Sequence, residues 1–119
     1  MTNLEIYTIA SKLFEAFSDD TQKFPVKMNF FLQKNKRTLL SLAQEIEAAR
    51  MQIAHTYGTD SGNGNFVIAP ENIEAAQNEL NQLFTIEQDI DIRKISFDDL
   101  DPNMELTSAQ MEALMFMIE

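Results

Sequence analysis

The feature of this chain that most limits its fold is a run of 32 residues, Val26–Tyr57, that contains neither proline nor glycine. Within this run apolar side chains recur at steps of three and four residues, a spacing that places them on one face of an α-helix. These side chains are Leu39, Leu42, Ile46, Ala49, Ile53 and Tyr57. A helix of this length spans about 48 Å, and one apolar face along it predicts a long neighbour, as in a helical hairpin or coiled coil.

The first turns of the run also fit a second interpretation. Val26, Met28, Phe30 and Leu32 are apolar at every second position, which is the period of a β-strand. We favour helix over the whole of 26–57 and keep a strand over the first turns as the alternative.

A second helix is predicted over residues 1–20. Thr2 and Glu5 have the spacing of a capping box, in which each side chain bonds the other's backbone amide at a helix start. The face predicted to be buried consists of Ile6, Ile9, Ala10, Leu13, Phe14 and Phe17. Whether this helix packs in the core or lies at the periphery stays open.

The second half of the chain predicts shorter elements. Gly58 is expected to end the long helix in the C′ position, and residues 58–70 form a turn around Asn63-Gly64 with a short strand at 66–68. Pro70 then begins a helix over 71–85, antiparallel to the long one. Ile90 and Ile92 alternate with acids, which predicts a bulged strand over 86–97.

A last helix is predicted over residues 107–118. Thr107 and Gln110 form a second capping box, and Met111, Leu114, Met115 and Ile118 share one face, with Phe116 and Met117 off it. The fold class is therefore mostly α (α+β): a helical hairpin on one long helix, with a small β element and a C-terminal helix. At 119 residues the chain is the size of one domain, 1–119.

Charge divides the chain into two unlike parts. Residues 1–58 carry seven Lys/Arg against six Asp/Glu, whereas 59–119 carry two against thirteen, and the net charge is −10. An acidic surface repels nucleic acid and anionic membranes and attracts basic proteins. No apolar segment approaches the roughly 20 residues needed to span a bilayer. We expect a protein partner, a cytoplasmic location, and neither direct nucleic-acid nor membrane binding.

No catalytic, cofactor or metal site is predicted. His55 is the only histidine and has no nucleophile and acid around it in the sequence, so a structural or exposed role is expected. Asp60 and Glu71 have the spacing of the first and last ligands of a calcium loop, but glycines stand where two further ligands belong. With no Cys there is no thiolate site.

Two groups of residues are candidates for contact with a partner. Methionine is flexible and is over-used on surfaces that adapt to partners, and clustered acids attract basic surfaces. The candidates are Asp89, Asp91, Asp98, Asp99, Asp101, Met111, Met115, Phe116 and Met117. The alternative for the methionines is closure of the protein's own core, and the alternative for the acids is a solvated turn.

The segments Lys27–Asn35, Tyr57–Asn65, Asp89–Ile95 and Glu105–Leu114 resemble small uncharacterised proteins of tailed phages and prophages. The resemblance covers most of 26–119 and carries no catalytic residues. It implies a non-enzymatic accessory or assembly protein in the bacterial cell, with association to the virion as a further option. Its partner would be itself in a homo-oligomer, a virion component or a host defence protein. The alternative is an acidic inhibitor that imitates nucleic acid on a defence nuclease or effector.

Overall fold

The long run is helical throughout in the computed structural model, which describes residues 1–19, 23–63 and 65–119. Helix α1 spans Asn3–Ala16 and helix α2 spans Val26–Tyr57. Pro25 is the N-cap of α2, because its ring fixes a backbone angle that suits the entry to a helix. The first turns of α2 are helix, and the strand alternative for them is wrong.

The elements after α2 are shorter. Strands β1 (Gly58–Gly62) and β2 (Asn65–Ile68) form an antiparallel two-stranded sheet, and helix α3 spans Pro70–Thr85. Helix α4 spans Ser108–Leu114 and continues into a 3₁₀ turn at Met115–Met117. The predicted fold class is confirmed: a mostly helical chain with one long helix, a small β element and a C-terminal helix.

Both predicted capping boxes are present. Glu5 N donates to Thr2 Oγ1 at 3.2 Å, and Thr2 N donates to Glu5 Oε1 at 3.0 Å. Thr107 and Gln110 make the same reciprocal pair at the start of α4. Helix α1 ends at Ala16, earlier than the predicted 1–20, and Asp20 lies outside the described residues.

Gly58 differs from the prediction in its conformation. Its φ of −125° and ψ of 171° are extended rather than left-handed, so α2 passes directly into β1. Glycine is required there because a Cβ would lie 2.9 Å from the carbonyl oxygen of Ala54. Left-handed backbone occurs at Gly62 (φ 96°), the last residue of β1, and at Asn63 (φ 55°) in the turn, whereas Gly64 lies outside the described residues.

Helices α2 and α3 run antiparallel, as predicted. Near the β-hairpin formed by β1 and β2, Asn72 Nδ2 donates to the carbonyl oxygen of Tyr57 at 3.3 Å. At the other end of the pair, the Tyr7 hydroxyl donates to Glu47 on α2 and the Tyr7 ring packs edge-on against Phe84 on α3. Helix α1 thus contacts both long helices and is part of the core rather than peripheral.

The core surrounds the first two-thirds of α2. Its members are Ile6, Ala10, Leu13, Phe17, Met28, Leu32, Leu39, Ile46, Ile95, Ala113, Leu114 and Met117. Beyond Ile46 the long helix leaves this core, and the molecule measures 56 × 30 × 20 Å. We call residues 47–77, described except for Gly64, the distal arm: the last turns of α2, the hairpin and the first half of α3. Among its described residues only Ala76 is buried.

The predicted strand over 86–97 is wrong. Every residue of this segment is described, and none belongs to a strand. The segment is extended but pairs with other chain only at isolated bridges, Glu87 with Thr2 and Ile95 with Ile118. Between these bridges a side chain takes the place of a neighbouring strand. Asn35 Nδ2 donates to the carbonyl oxygen of Arg93, and the Arg93 amide donates to Asn35 Oδ1, both at 2.9 Å.

Two further buried amides link distant parts of the chain. Asn3 donates to the carbonyl oxygen of Leu83 and accepts from Gln88 Nε2. Gln110 Nε2 donates to the carbonyl oxygen of Ala16 at 2.9 Å. Each buried polar group that loses its partner costs about 1–3 kcal/mol, so these amides fix how the helices and the 86–97 segment join.

Candidate functional site

The acidic turn comprises residues 96–103 at the end of the 86–97 segment, begins with a 3₁₀ turn at Phe97–Asp99, and is stabilised by its own carboxylates. Ser96 N donates to Asp99 Oδ2 at 3.0 Å, and Lys27 Nζ at the start of α2 lies 3.2 Å from Asp99 Oδ1. The hydrogen bond from Ser96 and then the one from Lys27 hold the pKa of Asp99 below its ordinary value. Asp101 Oδ1 accepts from the Asn103 amide. Two of the predicted contact residues, Asp99 and Asp101, therefore also stabilise the turn.

The methionines at the C-terminal end face opposite ways. After Leu114 the helix tightens into a 3₁₀ turn, in which three rather than 3.6 residues complete a turn. Met115, which was predicted on the apolar face of the last helix and as a contact residue, is 58% exposed, whereas Met117, also a candidate contact residue, is fully buried. The sulfur of Met117 lies 3.6 Å from Asn35 Nδ2. Met117 is thus a core residue and is removed from the candidate surface, while Met115 and the half-buried Met111 and Phe116 remain.

The structure brings Met111 and the acidic turn to one hollow. It has a volume of about 400 Å³, and its lining residues are Phe97, Leu100, Asp101, Pro102, Met104, Leu106 and Met111. Phe97, at the end of the segment predicted as a strand, is 57% exposed. Met115 follows Met111 by one helical turn. We call Phe97, Asp98, Asp101, Met111 and Met115 the acidic–methionine surface.

The two remaining acids of the prediction lie elsewhere. Asp89 and Asp91 are exposed on the 86–97 segment. Neither residue lines this hollow or the neighbouring one beside Lys23. The carboxylate of Asp91 pairs with Arg93 at 3.3 Å. The five predicted acids therefore form a group of three at the turn and a separate group of two.

A second apolar surface, which the sequence reasoning missed, lies between α1 and α2. Phe14 was predicted in the buried face of α1 but is 62% exposed, because Ile6, Ala10, Leu13 and Phe17 already fill that face. Leu40 on α2 is 41% exposed and lines the same hollow of about 380 Å³. We call this the α1–α2 groove; its wall also includes Tyr7, Ser11, Glu15, Ala43, Gln44 and Glu47.

A small polar network closes one end of the groove. Glu47 Oε2 accepts from the Tyr7 hydroxyl and from Arg50 Nε, both at 2.9 Å. The hydrogen bond from Arg50 outweighs burial and, with that from Tyr7, lowers the pKa of Glu47. The same carboxylate raises the pKa of Tyr7. The network therefore favours an ionised Glu47 carboxylate, a protonated Tyr7 hydroxyl and a charged Arg50 guanidinium.

The remaining candidates for chemistry are His55 and the clustered carboxylates. His55 is exposed, as predicted, and its ring meets Phe66 edge-on with centroids 4.7 Å apart. Across 1–19, 23–63 and 65–119, no three His, Asp or Glu side chains come close enough to hold a metal ion. No helix in this described part of the chain is long and apolar enough to cross a membrane.

Comparison with known proteins returned no relationship. The chain matches no protein-family model, no curated protein and no solved structure.

Proposed function

We propose that this protein acts by binding a protein partner rather than by catalysing a reaction, as an accessory or assembly protein. The observation that carries the proposal is the acidic–methionine surface, where the exposed Phe97 lines one hollow with Asp101 and Met111, and the exposed Met115 follows Met111 by four residues. Apolar side chains at the centre of a patch with charged groups around them are typical of protein docking sites.

The chemistry of the surface indicates the chemistry of the partner. Asp101 is exposed in the lining of the hollow, and Asp98 is exposed next to Phe97 in the chain and lines the neighbouring hollow beside Lys23. Both acids favour a basic segment over an acidic one. The floor of the hollow includes Met104 and Met111, whose flexible side chains can adapt to an inserted apolar group. We therefore propose a partner segment with one apolar anchor flanked by Lys or Arg.

The resemblance of residues 26–119 to small phage and prophage proteins supports the choice of partner class. On this basis the partner is a virion component or a host defence protein, met in the bacterial cytoplasm or in the virion. The two partner classes are separated by which proteins are captured from phage-infected cells.

The alternative, an acidic inhibitor that imitates nucleic acid, has less support from the geometry. A mimic needs several carboxylates presented along one path, as phosphates are. Asp89 and Asp91 lie apart from the turn, and Asp91 and Asp99 are paired with Arg93 and Lys27. This alternative stays a prediction, and it is distinguished by its dependence on acids alone.

The test is site-specific photo-crosslinking in bacterial cells, with the reactive group at position 115 and a matched control at position 67. Val67 is also apolar and is 63% exposed, but it lies on β2 and does not line the hollow. We expect one partner to be crosslinked from position 115 and not from position 67. Equal crosslinking from the two positions would contradict the proposal.

Two variants then separate the proposal from the alternative. Phe97→Ser removes the exposed aromatic side chain of the hollow and is expected to abolish capture, whereas a nucleic-acid mimic would tolerate it. Asp98→Lys should weaken capture and reduce its dependence on salt, since it removes one steering charge. If capture survives Phe97→Ser but is lost in Asp98→Lys, the inhibitor is the better account.

A further inference from the structure

The α1–α2 groove has the size and composition of a docking site for an aromatic side chain. A cavity of about 150 Å³ can hold a benzene molecule, and the hollow beside Phe14 and Leu40 has a volume of about 380 Å³. Its lining exposes far more apolar than polar surface, although it is open to solvent. A second, smaller hollow of about 220 Å³ continues the groove toward Lys36 and Arg37.

The groove differs in charge from most of the molecule. None of the acids in residues 59–119 lines either hollow. Two copies of a chain with a net charge of −10 repel each other where these acids face one another. The nearly neutral first half of the chain supplies the whole groove, so two copies can approach there without opposing their acidic parts.

The charged residues that line the groove are Glu15 and Glu47 in the larger hollow and Lys36 and Arg37 in the smaller one, so the two hollows carry opposite charge, although Glu47 also pairs with Arg50. Arg37 lies toward one end of its α2 wall and Glu47 toward the other. The position midway between them is 42, level with the larger hollow. A two-fold axis at this level brings Arg37 of each copy opposite Glu47 of the other, which gives two symmetry-related charge pairs.

The same axis places an aromatic side chain over each hollow. Helix α1 runs antiparallel to α2, with Tyr7 level with Glu47 and Phe14 level with Leu40. Rotation about position 42 brings Phe14 of one copy level with Gln44 of the other, where Ser11, Ala43 and Gln44 line the larger hollow. The charged pairs and the aromatic insertion therefore require one and the same arrangement.

We propose that the α1–α2 groove is the interface of a two-fold symmetric homodimer, in which each Phe14 ring fills the hollow of the other copy. The exposed residues of α2 nearest Leu40, Ser41 and Gln44, are small or uncharged, and the exposed charged residues around them are Arg37 and Glu45. This dimer does not depend on the proposed partner at the acidic–methionine surface, because the two surfaces share no residue.

The first test is the mass of the purified protein by light scattering and sedimentation over a range of concentrations. The wild type is expected at twice the 13.6 kDa of the chain. Phe14→Glu should raise the dimer dissociation constant by at least about a hundredfold, and Arg37→Glu by about tenfold. Because both side chains are exposed, circular dichroism should report an unchanged fold.

Two controls sharpen this test. Val67→Glu places the same charge on another exposed apolar residue and should leave the dimer intact. Phe97→Ser should abolish partner capture and leave the dimer intact. Phe14→Glu should disrupt the dimer and leave partner capture intact. A protein that is monomeric at all concentrations, or a dimer that survives Phe14→Glu, overturns the proposal.

The second test uses the absence of cysteine from the chain. Ser11 is exposed beside the hollow, close to the proposed axis, so Ser11→Cys should form a disulfide-linked dimer under mild oxidation. Ser61→Cys, on the exposed hairpin, is the matched control and should stay monomeric under the same conditions. Equal crosslinking of the two variants would contradict the proposed geometry.

Discussion

One helix serves two unlike regions of this molecule. In its first two-thirds α2 carries Leu32 and Leu39, which are fully buried between α1, α4 and the 86–97 segment. In its last turns the same helix carries Ile53 and Tyr57, which are only half-buried against α3 and the hairpin. A single uninterrupted hydrogen-bond ladder therefore runs from a dense core into a thin arm.

This difference teaches that helical continuity does not imply uniform stability. Most of the stability of a protein helix comes from packing of its apolar face rather than from its own propensity. In the distal arm, packing is supplemented by exposed polar contacts, such as the bond from the Tyr57 hydroxyl to Glu79. We expect the arm to open locally at a lower free energy than the core, as thinly packed regions do.

The largest effect is expected from truncation in the core half of α2. Leu39→Ala should lower the free energy of unfolding by about 2–5 kcal/mol, because the site is fully buried and leaves a cavity. Ile53→Ala, at a half-buried position in the arm, should cost about 1 kcal/mol. Denaturant unfolding monitored by circular dichroism measures both. Equal losses for the two variants would erase the distinction between the regions.

The next effect concerns the amide that joins α2 to the 86–97 segment. Asn35→Leu leaves the backbone N–H and C=O of Arg93 without their partner, at a total cost of about 1–3 kcal/mol, because both bonds are only partly buried. Amide hydrogen exchange should show the Arg93 N–H losing its protection.

Asn29→Leu is the matched control for that change, because Asn29 is exposed on the same helix. It should alter the free energy of unfolding by no more than about 0.5 kcal/mol. Retained protection of Arg93 in Asn35→Leu would mean that the side chain is not what holds the segment.

A smaller and more local effect is expected at the joint between α2 and β1. In Gly58→Ala the added Cβ would lie 2.9 Å from the Ala54 carbonyl oxygen and 3.2 Å from Ile68 Cγ1. The backbone must shift, at a cost of about 1–2 kcal/mol. In Gly58→Ala, hydrogen exchange should accelerate in the arm and stay unchanged at Leu32. The control Ser61→Ala should leave exchange unchanged in both regions. Acceleration throughout the core would show that the two regions unfold as one.

The smallest effect is expected at the network that joins α1 to α2. Hydrogen bonds from Arg50 and Tyr7 lower the pKa of Glu47, so they stabilise the protein while the carboxylate is ionised. This contribution is complete above the ordinary pKa of a glutamate and is lost as the pH falls through the lowered one. The network is partly exposed, and its contribution is therefore small.

Glu47→Gln measures that contribution directly. At neutral pH the variant should unfold more easily than the wild type, and the difference should shrink below the ordinary carboxyl range. Urea unfolding at the two pH values gives both free energies. A difference that grows on acidification would mean that the pKa of Glu47 is raised rather than lowered.

Local signals predicted the starts and types of the helices. The capping boxes of Thr2 and Thr107 act within one helical turn, and both are present at the predicted positions. Pro70 at the first position of α3 is equally local. The sequence pattern also indicated one-sided burial of Ile90 and Ile92, which are half-buried beside exposed acids.

The predictions that failed depended on contacts between distant residues. The 86–97 segment has the alternation of a strand, but its hydrogen-bond partner is the side chain of Asn35 rather than another strand. Met117 is buried and Met115 exposed because the helix tightens after Leu114, which the apolar spacing does not reveal. The meeting of Met111 with the acidic turn likewise depends on how α4 docks.

The three buried amides have a consequence for how fast this chain reaches its native state. Asn35 reaches across 58 residues of chain, Asn3 across 80 and Gln110 across 94. Closing such large loops costs entropy before any contact rewards it, and proteins dominated by distant contacts fold slowly. During synthesis on a ribosome, α1 and α2 can form early but must wait for Gln110 to emerge. We expect stopped-flow refolding to be slower than that of a simple helical hairpin of the same length.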